Sequence, residues 1–77
     1  MHLEIVTPDQ NIFDGEIDSA VFPGSDGSFG VQNNHAPMVA TLKMGKIEVN
    51  HSGKREEFEV SGGVVEVNHN KIIVLAD

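Results

Sequence analysis

The chain has 77 residues and no cysteine, so it can form one small domain but no disulfide, thiolate nucleophile or cysteine zinc site. Twelve acidic residues against five basic ones give a formal net charge of −7, which disfavours binding to nucleic acid and to anionic lipid. The apolar runs are much shorter than the roughly 20 residues that a membrane-spanning helix needs, so we expect no direct insertion into lipid.

Polar and apolar residues alternate along most of the chain, as in strands with one buried face. The alternation is clearest at residues 3–5, 16–18, 46–49 and 57–60. Turn-forming residues recur between these segments, and no window shows a helical stripe. The pattern predicts a single all-β domain over residues 1–77. We expect a β-sandwich or barrel of about eight to ten short strands.

Two specified loops lie in the first half of the chain. Residues 24–30 contain three glycines, and residues 34–37 read Asn-His-Ala-Pro. Glycine permits positive φ and close backbone approach, and proline restricts the residue before it, so both loops have defined shapes. The first loop lacks the set of acidic side chains that a calcium loop requires, so it is predicted to be a turn.

The second half of the chain predicts two hairpins. Residues 45–50 and 56–60 flank a polar tip, and residues 64–67 meet residues 71–75 across Asn-His-Asn. The final apolar run is predicted to be a strand buried on both faces. Between the hairpins, Gly62 and Gly63 predict a bulge or a close approach of two backbones.

No arrangement of side chains predicts an active site. The four histidines fall in different elements without metal-ligand spacing, so no metal or other cofactor is expected. The serines lack a nucleophile elbow, and the glycine-rich stretches lack the lysine of a phosphate-binding loop. For His35, a structural hydrogen bond and a contact with a partner remain equally open.

Six motifs in order point to a family. They are Leu-Glu-Ile-Val-Thr-Pro at residues 3–8, Ile-Phe-Asp-Gly at 12–15, Pro-Gly-Ser-Asp-Gly at 23–27 with Phe-Gly-Val at 29–31, Asn-His-Ala-Pro at 34–37, Ser-Gly-Gly at 61–63 with Val-Glu-Val at 65–67, and Val-Leu-Ala-Asp at 74–77. Together they resemble the N-terminal β-sandwich domain of the epsilon subunit of F-type ATP synthases, which is homologous to the mitochondrial delta subunit.

The resemblance implies a β-sandwich or flattened barrel of about ten strands, with no helical hairpin among these residues. It also implies a non-catalytic rotor subunit of the central stalk, without cofactor or small-molecule substrate. Its expected partners are the gamma subunit and the ring of c subunits, and its expected role is to couple proton-driven rotation to ATP synthesis. Its expected location is peripheral, on the cytoplasmic face of a bacterial inner membrane or the stromal face of a thylakoid. The alternative is a free-standing β-sandwich that binds a ligand, although the chain has no Trp or Tyr to form an aromatic platform.

The resemblance also implies two sets of contact residues. The gamma-facing positions are Thr7, His35 and Ala40. The loop facing the c ring consists of Gly24, Ser25, Asp26, Gly27 and Ser28. Many family members carry an acidic residue where this chain has Ser28, and we expect Asp26 or Asp18 to substitute for it. Family members usually continue beyond the position of Asp77 into a helical hairpin, and the given sequence contains no such inhibitory or nucleotide-binding segment.

Overall fold

The computed structural model describes all residues from 1 to 77 and consists of nine β-strands with no helix. No helix is therefore available to cross a membrane. The all-β prediction is confirmed, with nine strands where about ten were expected, and both predicted hairpins are present. The strands are β1 His2–Val6, β2 Asn11–Glu16, β3 Ser19–Gly24, β4 Gly27–Gln32, β5 His35–Leu42, β6 Gly45–His51, β7 Lys54–Val60, β8 Gly63–His69 and β9 Lys71–Ala76.

The strands form one hydrogen-bonded sheet that is folded over on itself. Their order is β2-β1-β9-β8-β5-β3-β6-β7, with β4 on the other side of β3. Strand β3 meets β5 only where Gly24 pairs with Leu42, so the sheet turns a corner there. The first layer is β2-β1-β9-β8-β5 and the second layer is β4-β3-β6-β7. Every pair is antiparallel except β1 with β9.

The core lies between the two layers and is entirely apolar. Alternation along each strand sends one set of side chains inward, and no polar or charged residue is buried among them. Burial of such side chains is the main force that holds the layers together. The core residues are Leu3, Ile5, Ile17, Ala20, Phe22, Val31, Leu42, Ile47, Val49, Val60, Val65, Val67, Ile72, Val74 and Ala76.

Aromatic side chains link the two ends of the strand order. Phe13 lies on β2 and Phe58 on β7, and their ring centroids are 5.4 Å apart. The His51 ring, at the end of β6, packs edge-on against Phe13 at 5.6 Å. Because β2 and β7 are the terminal strands of the order, these rings bring the two layers together where no strand pairing does.

A close approach of two backbones occurs at the second residue of the double glycine. A Cβ added at Gly63 would lie 2.4 Å from the Leu75 carbonyl oxygen and 2.9 Å from the Ala76 Cα, and Gly63 has φ of +142°. At Gly62, the nearest atom to an added Cβ is a carboxylate oxygen of Asp77, which can rotate away. The backbone therefore excludes a side chain at Gly63 more strictly than at Gly62.

The final strand is buried on one face only, so the prediction of burial on both faces is wrong. Ile72 and Val74 point into the core and are 0% exposed, whereas Leu75 is 56% exposed. Strand β9 lies between β1 and β8 in the first layer, and no further layer covers its outer side. An unbroken apolar sequence here reflects two environments, the core on one side and an open surface on the other.

Candidate interaction surfaces

The outer side of the first layer is an apolar surface. Val39, Val64 and Leu75 are 68%, 38% and 56% exposed, and Val6 and Ile73 are half-buried beside them. Strand register makes three of these residues neighbours, because Leu75 is opposite Val64 on β8 and opposite Val6 on β1. Val39 and Ile73 are each opposite Glu66, which lies between them. We call these five residues the apolar outer face. It spans β5, β8, β9 and β1, with Glu4, Thr41 and Glu66 interspersed.

The outer side of the second layer is charged and internally paired. Arg55 on β7 contacts the carboxylates of Glu48 and Glu57, the latter at 3.1 Å, and Lys46 lies 4.0 Å from Glu57. Exposed pairs of this kind add little stability but keep a surface compatible with water. Contiguous exposed apolar surface, in contrast, is typical of contact sites with other proteins. The two faces of the sandwich therefore differ in what they can bind.

A cleft of about 580 Å³ opens where the two layers diverge from their corner. On one side is the tip of the β3–β4 hairpin, and on the other is β5. Phe29, Met38 and Ala40, all half-buried, form its apolar part. We call it the mouth cleft. Its full lining is Gly24, Ser25, Asp26, Gly27, Ser28, Phe29, Met38, Val39, Ala40 and Thr41, which includes one carboxylate and no basic residue.

The loop predicted to face the c ring is the tip of this hairpin. Gly24 pairs with Gly27, so Ser25 and Asp26 form a two-residue turn. Two hydrogen bonds hold the turn against β5: the Ser25 N–H donates to the Thr41 carbonyl, and the Thr41 hydroxyl donates to the Ser25 hydroxyl, each at 2.9 Å. Asp26 and Ser28 remain exposed. The turn is thus a fixed projection that carries one negative charge.

Of the three positions predicted to face gamma, Ala40 lines the mouth cleft together with the hairpin tip. Thr7 stabilises its own turn, because its hydroxyl accepts hydrogen bonds from the N–H groups of Asp9 at 3.3 Å and Gln10 at 3.1 Å. Val6, the residue before it, belongs to the apolar outer face. Thr7 therefore has a local structural role at the edge of that face.

His35 lies at the opposite end of the first layer from Thr7. It begins β5 and is paired with His69, whereas Thr7 follows the end of β1. These two strands are separated by β9 and β8, a distance of about 14 Å across the sheet. His35 Nδ1 is 2.7 Å from the carbonyl oxygen of Ala36. The ring can donate a hydrogen bond there and leave Nε2 for another group. The structure does not bring Thr7 and His35 into one compact site.

Sequence reasoning missed the apolar outer face itself. Its members are the outward residues of strands whose inward residues form the core. Alternation of polar and apolar residues distinguishes the inward from the outward residues only when the outward residues are polar. Where both sets are apolar, as in β9, the sequence resembles a strand buried on both sides. A signal was present in β8, where Val64 and Glu66 alternate with core residues and show that one side of the first layer is open.

The hairpin formed by β1 and β2 carries two ionisable groups, His2 and Glu16, whose pKa values are shifted by their neighbours. His2 Nδ1 lies 2.9 Å from Glu16, and His2 Nε2 lies 2.6 Å from Asp14. The hydrogen bond with Glu16 is the main cause that raises the pKa of His2 above its usual 6.5, and Asp14 raises it further. The same bond with His2, followed by the N-terminal ammonium, lowers the pKa of Glu16 below 4.5.

Comparison with known proteins identifies the class of domain that this sandwich represents. The chain matches the family ATP synthase, Delta/Epsilon chain, beta-sandwich domain over residues 1–77, and it belongs to that family. The resemblance stated from the sequence motifs is thereby confirmed.

Relatives with the same sequence pattern are named ATP synthase epsilon chain. The Desulforamulus reducens protein is 48% identical over 75 residues, which cover 97% of this chain and 57% of that protein. The Leptospira borgpetersenii protein is 40% identical over 77 residues, covering 100% and 61%. The Chlorobium limicola protein is 45% identical over 76 residues, covering 97% and 86%. The chain thus spans about three fifths of the first two relatives.

Solved structures agree with this fold. A chain in the cryo-EM structure of the Euglena gracilis mitochondrial ATP synthase, OSCP/F1/c-ring, superposes with a TM-score of 0.89 at 26% identity, covering 96% of this chain and 48% of that one. A chain in the central stalk and c-ring structure of the Tetrahymena thermophila mitochondrial ATP synthase has a TM-score of 0.75 at 20% identity, covering 96% and 62%. The latter likeness supports the fold alone.

Proposed function

We propose that this domain is a non-catalytic coupling module of the ATP synthase rotor, docked on the gamma subunit through its apolar outer face. The observation that carries the proposal is the contrast between the two faces of the sandwich. On a chain with net charge −7, one face carries exposed apolar side chains on β5, β8 and β9, and the other carries ion pairs on β6 and β7. Family membership gives the class of complex in which that face would be covered.

The sheet suits a part that transmits torque. Of 46 backbone hydrogen bonds, 39 lie within the strands, and the sheet continues through the corner from one layer to the other. Sliding of one strand past another would break several of these bonds together. A load applied at one face is therefore carried to the other by the sheet rather than absorbed by loops.

The second contact in this proposal is the c ring, reached through the tip of the β3–β4 hairpin. The tip projects as a turn, with Asp26 as its only carboxylate, and it is bound to β5 through Ser25 and Thr41. A basic group on a partner loop would form a charge-assisted contact with Asp26. Because Ser28 provides only a hydroxyl, Asp26 is the group on which that contact depends. The domain would then lie peripherally, at the cytoplasmic or stromal side of the membrane.

The gamma contact is tested by calorimetric titration of the domain into purified gamma subunit. We expect saturable one-to-one binding that persists at moderate salt, because apolar contacts are not screened. Leu75→Glu should weaken binding at least tenfold, since it places a charge in the centre of the apolar outer face. Gln32→Glu is the matched control, because it adds the same charge at an exposed position of the second layer. Equal affinities for the two variants would contradict the proposal.

The ligand-binding alternative would use the mouth cleft, which is larger than the other three clefts of the surface. Four of its ten lining residues are hydrophobic, and its only aromatic side chain is the half-buried Phe29. A fragment screen by NMR would support this alternative if several compounds shifted the Met38 and Phe29 signals. Binding to gamma without any such hits would leave the rotor proposal as the better explanation.

A further inference from the structure

The outward side of the β1–β2 hairpin gathers one imidazole and three carboxylates. His2 and Glu4 are alternate residues of β1, and strand register places Glu16 opposite His2 and Asp14 opposite Glu4. All four therefore project from the same face of two adjacent strands. Ligand atoms of His2, Glu4 and Asp14 lie within 4.8 Å of one another. The sequence hides this cluster, because β1 and β2 residues meet only after the strands pair.

One carboxylate of this cluster has no ion-pair partner in the protein. The only ion pair of Asp14 is with the His2 ring, and Glu4, which is half-buried, takes part in none. Glu16 has the N-terminal ammonium at 3.3 Å. Lys71 is the neighbour of His2 on β9 but makes no ion pair with any of these carboxylates. On β6 and β7, in contrast, Lys46 and Arg55 pair with Glu48 and Glu57.

We propose that His2, Glu4 and Asp14 form a binding site for a divalent transition-metal ion of the Zn²⁺ class. One imidazole nitrogen with two carboxylates is a donor set that suits Zn²⁺, whereas Mg²⁺ and Ca²⁺ prefer oxygen ligands alone. The Nε2 atom of His2 faces Asp14 and would be the nitrogen ligand. An ion would take the place of the 2.6 Å contact between this nitrogen and Asp14, and it would also compensate the charge of Glu4.

Glu16 has a separate, positioning role in this proposal. Its carboxylate accepts a hydrogen bond from His2 Nδ1 at 2.9 Å, which sets the ring orientation and leaves Nε2 as the ligand. Metal-bound histidines commonly have such a carboxylate on the other ring nitrogen, and loss of that partner costs tenfold or more in affinity. The hairpin backbone supplies the remaining rigidity, because all four side chains are attached to paired strand residues.

The test is a titration of the chelator-treated domain with zinc chloride, followed by calorimetry and by amide NMR. We expect one equivalent to bind saturably and to shift signals of β1 and β2 only. His2→Gln and Asp14→Asn should each weaken binding at least tenfold, and Glu16→Gln should weaken it about tenfold although it removes no ligand.

His69→Gln is the control for this test. It removes another exposed histidine, at the end of β8, and should leave zinc affinity unchanged. The amide spectra of the variants without zinc report whether each remains folded. Two ligand variants are used so that the conclusion does not depend on a single substitution. Parent-like affinity in His2→Gln and Asp14→Asn, or no saturable binding at millimolar zinc, would overturn the proposal.

Discussion

A side chain at Gly63 should destabilise the domain through a backbone clash rather than through φ alone. An added Cβ would lie 2.4 Å from the Leu75 carbonyl oxygen, so β8 and β9 would have to separate by about 1 Å to restore normal contact. This shift would weaken one or two strand hydrogen bonds, each worth about 1 kcal/mol. The unusual φ of +142° adds a conformational cost of about 1–3 kcal/mol for alanine.

Gly27→Ala separates these two effects. Gly27 has a similar φ of +130°, but an added Cβ there meets nothing within 4 Å. Both variants should share the conformational cost, and Gly63→Ala should lose about 1–2 kcal/mol more from the clash. For a domain of this size, that difference corresponds to a melting temperature about 4–16 °C lower. Thermal unfolding of the isolated domain, followed by circular dichroism, measures it. Equal melting temperatures for the two variants would refute the close approach.

Two further predictions concern histidines. Because the pKa of His2 is raised in the folded protein, His2 stabilises the fold below pH 6.5, and this stabilisation is lost as pH rises through the folded pKa of His2. Because the pKa of Glu16 is lowered, Glu16 stabilises the fold above pH 4.5, and this stabilisation is lost as pH falls through the folded pKa of Glu16. With chelator present, His2→Gln should therefore lower the melting temperature most between pH 4.5 and 6.5, and a pH-independent difference would show that the pair contributes nothing. His35→Ala should weaken gamma binding several-fold, because the family resemblance implies that His35 lies on the gamma-facing side, at the start of β5. The melting temperature should be nearly unchanged, because the ring bonds only to the carbonyl of the next residue. Unchanged affinity with a lower melting temperature would instead assign His35 a structural role.

Much of the fold could be predicted because the relevant signals are local. Alternation and turn residues located the β6–β7 hairpin and the β8–β9 hairpin, and the absence of a helical stripe excluded helices. The double glycine was predicted to mark a close approach, but nothing in the sequence distinguishes Gly62 from Gly63. The difference arises from the atoms that face each residue. Gly62 faces the carboxylate of Asp77, which can rotate away, whereas Gly63 faces the backbone carbonyl of Leu75.

The surfaces could be predicted less well because they depend on which strands become neighbours. Leu75 and Val64 form an exposed apolar pair only because β9 and β8 are adjacent in the open layer. In the same way, His2 meets Asp14 only through the pairing of β1 with β2. The turn at Ser25 and Asp26 was identified from its glycines, whereas its hydrogen bonds to Thr41 required the corner between the layers.

The proposed rotor role depends on docking through the apolar outer face. Amide NMR of the isotope-labelled domain, with and without unlabelled gamma subunit, tests it most directly. We expect signal changes to concentrate on β1, β8 and β9 around Val64 and Leu75, while β6 and β7 are little affected. Changes concentrated on the charged face around Glu48 and Arg55, with the apolar outer face unperturbed, would contradict docking through that face.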